Sequence, residues 1–257
     1  MLGAAMLAGG WNRPEQRFNP AGARSQATML TLAAIALILP AAFQTAEGAT
    51  AERLSGLSIG ISVVLLLVYA LYLAFILVTH SALFVGSSVP EEKDAAVSVG
   101  RPAVVLALAA GGIAWMSEIL VGTVEPAAHA LGLSDVFVGV FVVAILGNAA
   151  EHATAITVAL KDRMDLSLSI AIGSSVQIAL FVAPILVLAS LFLGGTAPMN
   201  LAFRPGLVLI ILLSVLITGQ IAGDGRSDWL KGVQLIAVYV ILALTFCFLP
   251  SEPTGSH

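Results

Sequence analysis

Seven long apolar stretches separated by short polar connections run almost the full length of this 257-residue chain. They are Ala27 to Ala46, Gly56 to Thr79, Ala103 to Val124, Val136 to Leu160, Leu166 to Gly194, Gly206 to Ala222 and Leu230 to Leu249. The tail of an eighth lies in Met1 to Gly10. A hydrocarbon core of about 30 Å takes about 20 residues of helix to cross, and the shortest run, Gly206 to Ala222, still suffices. The runs lack the residue-by-residue alternation of barrel strands, so helices are the way for them to satisfy their backbone in lipid. The pattern predicts an all-α membrane protein, a polytopic bundle of about seven transmembrane helices.

The polar connections orient that bundle. Assigned alternately to two sides, they put Arg13, Arg17, Arg24, Lys93, Arg101, Lys161, Arg163, Arg226 and Lys231 on one side and Arg53 and Arg204 on the other. Basic residues collect on the cytoplasmic side, so Pro250 to His257 is expected to be non-cytoplasmic. Trp11 and Trp229 fall at span ends, where aromatic anchors belong. The chain then divides into residues 1–26, the end of a helix plus a cytosolic loop; 27–79, two spans; 80–102, an acidic cytosolic linker with Glu91, Glu92 and Asp94; 103–249, five spans; and 250–257, a short tail. The linker is a solvated loop, or else a cation-attracting segment near a pore mouth.

Composition agrees with membrane insertion: 59% of residues are hydrophobic, 10% are charged, and the mean hydropathy is +1.02. Cys247 is the only cysteine, which excludes an intrachain disulfide and a cysteine-rich metal site. No basic patch suggests nucleic acid. The surplus of Arg over Lys and the abundance of Ala lean towards a bacterial cytoplasmic membrane over a vacuolar one.

Against this background Gly147-Asn148-Ala149-Ala150-Glu151-His152 stands out. An ionisable residue at bilayer depth is costly and points to function. On a helix Asn148 and Glu151 share a face, with His152 slightly round from them, and on the following span Gly173, Ser174 and Gln177 form a similar stripe. Carboxylate, amide carbonyl and hydroxyl are the oxygen ligands that calcium accepts. Protons compete with a metal ion for the oxygens of a carboxyl group removed from water, and a position that holds one or the other is an antiporter site in outline. The structural alternative is a Glu151 that clips helices together through Gln177 or a backbone carbonyl.

Other readings stay open beside it. His152 either gates or relays protons or hydrogen-bonds a neighbouring helix. Glu118 either extends a proton or ion path or is a water-facing carboxylate. Asn148 to His152 differs by one residue from the His-x-x-Glu-His signature of inverted zinc peptidases, but Asn in place of the first His removes a ligand. An intramembrane enzyme would also need a nucleophile-base pair near Glu151, and the sequence offers none, so the chain is not read as an enzyme. No second membrane-buried copy of the Asn-x-x-Glu spacing occurs, although transporters are commonly built from two inverted halves.

Gly147 to Ala153, Lys161 to Leu168 and Gly173-Ser174-Ser175-Val176-Gln177-Ile178-Ala179-Leu180-Phe181-Val182-Ala183-Pro184 closely resemble the second signature repeat of the calcium/proton exchangers, in the cation/calcium antiporter superfamily. The resemblance extends to Ser117 to Val121, Asp224 to Leu230 and Glu15-Gln16-Arg17-Phe18-Asn19. It implies an inverted-repeat fold of eleven helices, two five-helix halves after one extra helix, with a glutamate from each half at a central site. Carried over, Glu151 is the second-half ion-binding glutamate, Asn148 its partner, and Ser174 and Gln177 the facing ligands. Calcium is then transported substrate, with no cofactor.

On that alignment the chain starts at the end of the fourth helix and lacks the first-half glutamate. One carboxylate does not neutralise a divalent ion, whereas two would. The expected partner is therefore the missing half, in cis or in trans, or a second copy of the chain. Met1 inside an apolar run suggests a truncated or misassigned start more than a self-sufficient half-transporter. The leading expectation is exchange of calcium for protons, and its competitor is a non-transporting or half-transporter membrane subunit.

Overall fold

The computed structural model describes residues 1–79, 100–130, 132, 137–193 and 198–247. Most of the 80–102 linker and the 250–257 tail lie outside the described residues. In chain order the elements are α1 (Leu2–Gly10), β1 (Gln16–Arg17), α2 (Pro20–Gln44) and α3 (Ala51–Ala74), which continues as a π-helical turn at Phe75–Thr79. Then come α4 (Gly100–Ala130), a π turn at Val138–Val143, α5 (Ala144–Gly147) and α6 (Ala149–Leu160). The chain continues through α7 (Met164–Gln177), a π turn at Ile178–Val182, α8 (Ala183–Ser190), α9 (Pro205–Asp224), β2 (Arg226–Ser227) and α10 (Trp229–Cys247). Among the described residues six helical stretches are long and apolar enough to span a membrane. Val138–Gly147 with Ala149–Leu160 makes a seventh as one broken span.

Hydropathy locates these spans and capping trims them. Helix α2 begins at Pro20, well before the apolar run at Ala27, because Asn19 accepts a hydrogen bond from the Ala21 N–H at 2.9 Å and Pro20 occupies the first turn. The helix thus carries Arg24, Ser25 and Gln26, which hydropathy assigns to a loop. Thr50 caps α3 through the Arg53 N–H, and Asp228 accepts from the Lys231 N–H at 2.9 Å at the start of α10.

Chain contacts define two compact units, Met1–Ser87 with Glu151–Ile236, and Ser88–Ala150 with Ala237–His257. In the first unit the buried core mixes small residues, such as Ala23, Ala27, Ala155 and Ala159, with Leu65, Leu168, Ile172 and Leu180. Small side chains let membrane helices approach closely enough for dispersion contacts to hold them. At one end of this unit β1 pairs antiparallel with β2, Gln16 opposite Ser227 and Arg17 opposite Arg226. The Phe18 N–H donates to the Gly225 carbonyl at 3.1 Å and the Asn19 N–H to Asp165 Oδ1 at 2.5 Å. Arg17 donates to Glu15 and, with its charge, holds that exposed carboxyl below the usual carboxylate range. Three of the connections that the basic residues assign to one side, around residues 11–19, 161–165 and 224–228, therefore meet.

The opposite end of the same unit is closed by Leu37, Val187 and Leu201, with the Leu201 N–H donating to buried Ser58 Oγ at 3.1 Å. In the second unit Phe141 stacks on Phe137 at 5.2 Å and meets Tyr239 edge-on at 5.3 Å. Helix α4 packs against the π turn at Val138–Val143 and leaves nearly all of its described side chains exposed.

Helices α1 and α10 approach closely at Gly3 and Gly232. A Cβ on Gly232 would meet the Leu7 backbone nitrogen, the Leu7 Cα at 2.7 Å and the Gly3 carbonyl oxygen at 2.8 Å, all backbone atoms that cannot step aside. Gly232→Ala is therefore expected to destabilise the protein by about 1–3 kcal/mol, the usual cost of overpacking. Gly60→Ala, where a Cβ meets nothing within 4 Å, is the control. Thermal unfolding in detergent checks this, and equal melting of both variants would refute the close crossing.

Candidate functional site

The motif helix and its successor form an antiparallel hairpin, α6 and α7, joined by a tight turn in which Asp162 takes the left-handed conformation at φ 60°. Ser167 is fully buried on α7 and its hydroxyl donates to the Ala155 carbonyl on α6 at 2.9 Å. That bond sets the register of the hairpin. Glu151, Ala155 and Ala159 lie four residues apart, on one ridge of α6, and both alanines are fully buried. Half-buried Glu151 therefore projects from the ridge that packs.

Counting at 1.5 Å per residue from the Ser167–Ala155 contact puts Glu151 about 6 Å and Ser174 about 10 Å further along the hairpin. Side chains on a helix lean towards its amino end, so in an antiparallel pair Glu151 leans up towards Ser174 and Ser174 down towards Glu151. Ser174 shares the face of Ser167, while Gln177 lies about 15 Å along and is turned roughly 80° round the helix. Gln177 is correspondingly exposed, and His152 is half-buried one position round from Glu151. Helix geometry therefore leans Glu151 and Ser174 towards each other, while Gln177 is exposed and His152 half-buried. Glu118 is exposed on α4 in the other unit.

Asn148 is where the motif span breaks. Its φ of −107° and ψ of 20° leave the helical region between α5 and α6. Its side-chain Nδ2 donates to the Ala144 carbonyl at 2.9 Å, so a carbonyl that the break deprives of its helical donor is satisfied locally. That bond engages the amide nitrogen of Asn148 and not its oxygen. A second irregularity follows Gln177, the π turn at Ile178–Val182 before Pro184. Proline has no N–H for the Leu180 carbonyl and its ring crowds that carbonyl, and widening the turn relieves both.

Both irregularities lie in the motif spans, and π turns concentrate at functional positions. Hydropathy gives no sign of them, although Pro184 and the Gly147-Asn148 pair mark their places. Sequence reasoning also missed Ser167, whose hydroxyl sits on a face that otherwise reads as apolar packing. Among the described residues no group of three or more His, Cys, Asp or Glu side chains is placed to hold a metal ion.

Residues 101–248 match the family described as sodium/calcium exchanger protein. The chain is 43% identical to the Ca(2+)/H(+) antiporter of Synechocystis, over 98% of this chain and 72% of that protein. It is 42% identical to the Ca(2+)/H(+) antiporter of Aphanothece halophytica, over 98% of this chain and 71% of that protein. The Ca(2+)/H(+) antiporter ChaA of Bacillus subtilis is 40% identical over 97% of this chain and 71% of its own length. The solved structure of native YfkE superposes with a TM-score of 0.79 at 36% identity, covering 96% of this chain and 70% of that one.

If Ser167 sets the hairpin register, Ser167→Val should separate α6 from α7 by crowding the contact and removing the donor. The expected loss is about 1–3 kcal/mol. Melting in detergent measures it. A variant as stable as wild type would mean that the hairpin register is held elsewhere.

Proposed function

This chain belongs to the sodium/calcium exchanger protein family, and we propose that it is a secondary transporter exchanging calcium for protons across a membrane. The observation that carries this reading is half-buried Glu151 on the ridge of buried Ala155 and Ala159 in a broken span, from which helix geometry leans it towards the next helix. Glu151 supplies the exchangeable charge; Ser174 and the amide oxygen of Asn148 supply neutral ligands, and Gln177 a peripheral one. His152 either gates or relays protons or hydrogen-bonds a neighbouring helix, and exposed Glu118 either extends a proton or ion path or faces water. The relatives named as calcium/proton antiporters support the choice of ions.

One carboxylate leaves a divalent ion under-neutralised, and two protons replace one calcium without net charge only if a second carboxylate joins the site. We assign that carboxylate to a further segment, in cis or in trans, or to a second copy of the chain. The membrane is proposed to be a bacterial cytoplasmic one, from the surplus of Arg over Lys and the abundance of Ala, with the carboxyl terminus outside, from the distribution of basic residues.

Proton-gradient-driven calcium uptake into vesicles tests the function, with the chain alone and with upstream coding sequence added. Glu151→Gln keeps the shape and one oxygen but loses the titratable charge, so it should fold and abolish exchange. Wild-type exchange by this variant would refute the assignment. Ser174→Ala should weaken calcium binding by about 1 kcal/mol, roughly fivefold, taking the scale of one polar contact, and Gln177→Ala by less. The reverse order would contradict the hairpin register.

Topology is separately testable. A reporter fused after His257 should be non-cytoplasmic and one inserted between Lys161 and Asp165 cytoplasmic. Accessibility of both from the same side would overturn the orientation.

A further inference from the structure

We propose that Gln16 is a positioning residue for ion exchange, holding the helix that carries Glu151 by its carboxyl end. The inference rests on the transport reading given above. Gln16 lies far from Glu151 in sequence and in the short ribbon between α1 and α2, yet its side chain is 1% exposed. Its Nε2 donates to the Ala159 carbonyl at 2.9 Å and to Asp162 Oδ1 at 2.9 Å. Ala159 is on the Glu151 ridge, eight residues or about 12 Å along a rigid helix, so displacing one displaces the other.

The neighbouring contacts make Gln16 an arm between a fixed frame and α6. Its backbone is paired with Ser227, between α9 and α10, which anchors the arm. Arg13 donates to the Leu160 carbonyl at 3.0 Å and to the Gly9 carbonyl at 2.9 Å, and approaches Asp162 at 3.8 Å. The last carbonyls of α6, which have no donors within the helix, are thus held by groups from outside it. Gly9 leaves room for the arm, since a Cβ there would collide with Gln16 Oε1 and lie 2.9 Å from the Ala159 oxygen.

Stability alone does not explain this residue. Gln16 Oε1 is buried with no hydrogen-bond partner, as is the Ser227 hydroxyl opposite. A half-satisfied buried amide is costly, and an apolar side chain of the same volume would fill the space without that cost. What an apolar side chain could not do is fix the height and rotation of α6 through two directed bonds. Misplacement of a functional group by an ångström, from a change far from it, costs on the order of a hundredfold in favourable cases.

The test uses the preparation that transports in the vesicle assay, with melting measured alongside. Gln16→Leu fills the space and removes both donated bonds; it should stay folded, with calcium KM raised about tenfold or the exchange rate lowered to match. Gln16→Glu should be worse, since its carboxylate faces both the Ala159 carbonyl and Asp162, and Asp162→Asn added to it should restore part of the loss by turning the second acceptor into a donor. Ser227→Ala, which touches no part of α6 through a hydrogen bond, should leave exchange unchanged. Wild-type KM and rate in Gln16→Leu, beside an inactive Glu151→Gln, overturn this inference alone. A double variant no better than Gln16→Glu does the same, and so does a lowered melting point with unchanged KM. Exchange by Glu151→Gln overturns the functional reading and this inference with it.

Discussion

Hydrocarbon offers a polypeptide backbone no hydrogen bonds, and that constraint governs where this chain is regular and what happens where it is not. Most of each span is an uninterrupted helix. Two of the departures, at Asn148 and at the turn from Ile178 to Val182, each have a local remedy. Asn148 turns its own amide back to the Ala144 carbonyl, and the turn before Pro184 widens to accommodate a residue without an N–H. A break that satisfies itself can persist in the membrane while leaving an amide oxygen for an ion. The same residue thus provides the interruption and its repair.

Packing follows from the solvent as well. Lipid is as apolar as leucine, so burying leucine does not drive helices together, and close contact and directed polar bonds take over. Ala155 and Ala159 are buried against neighbours because they are small, and Gly3 and Gly232 let α1 and α10 meet backbone to backbone. The directed bonds are few and specific. Ser167 clips the motif helix at Ala155, Gln16 at Ala159 and Arg13 at Leu160, a ladder of external donors down one helix. Glu151 stands above that ladder on the same ridge.

Much of this was legible in the sequence, for identifiable reasons. Spans follow from apolar length, which is a property of composition alone, and the seven expected runs correspond to the six helical stretches and one broken pair. The meeting of residues 11–19, 161–165 and 224–228 at one end followed from the placement of Arg13, Arg17, Lys161, Arg163 and Arg226. Glu151 announced itself because charge is rare at that depth. The start of α2 at Pro20 was hidden because capping by Asn19 outweighs the polarity of Arg24 and Gln26. The arm from Gln16 was hidden for another reason: its partner is 143 positions away, and nothing local in Glu15-Gln16-Arg17 distinguishes a buried amide from a solvated one.

The donor set also explains why such a place serves exchange better than storage. Calcium affinity rises with the number of charged ligands and the rigidity of the cage. A ring of carboxylates would hold the ion and not release it, whereas passage requires binding strong enough for entry and weak enough for exit. In the proposed site Glu151 and one further carboxylate, with a hydroxyl and an amide oxygen, stand well short of such a ring, and protons compete there for the charged groups. With so little charge to hold the ion, selectivity must come from where the oxygens sit. On the proposal that Glu151 binds the ion, its position depends on the bonds that fix α6, so the polar ladder from Ser167 to Arg13 acts on the proposed site without touching the ion.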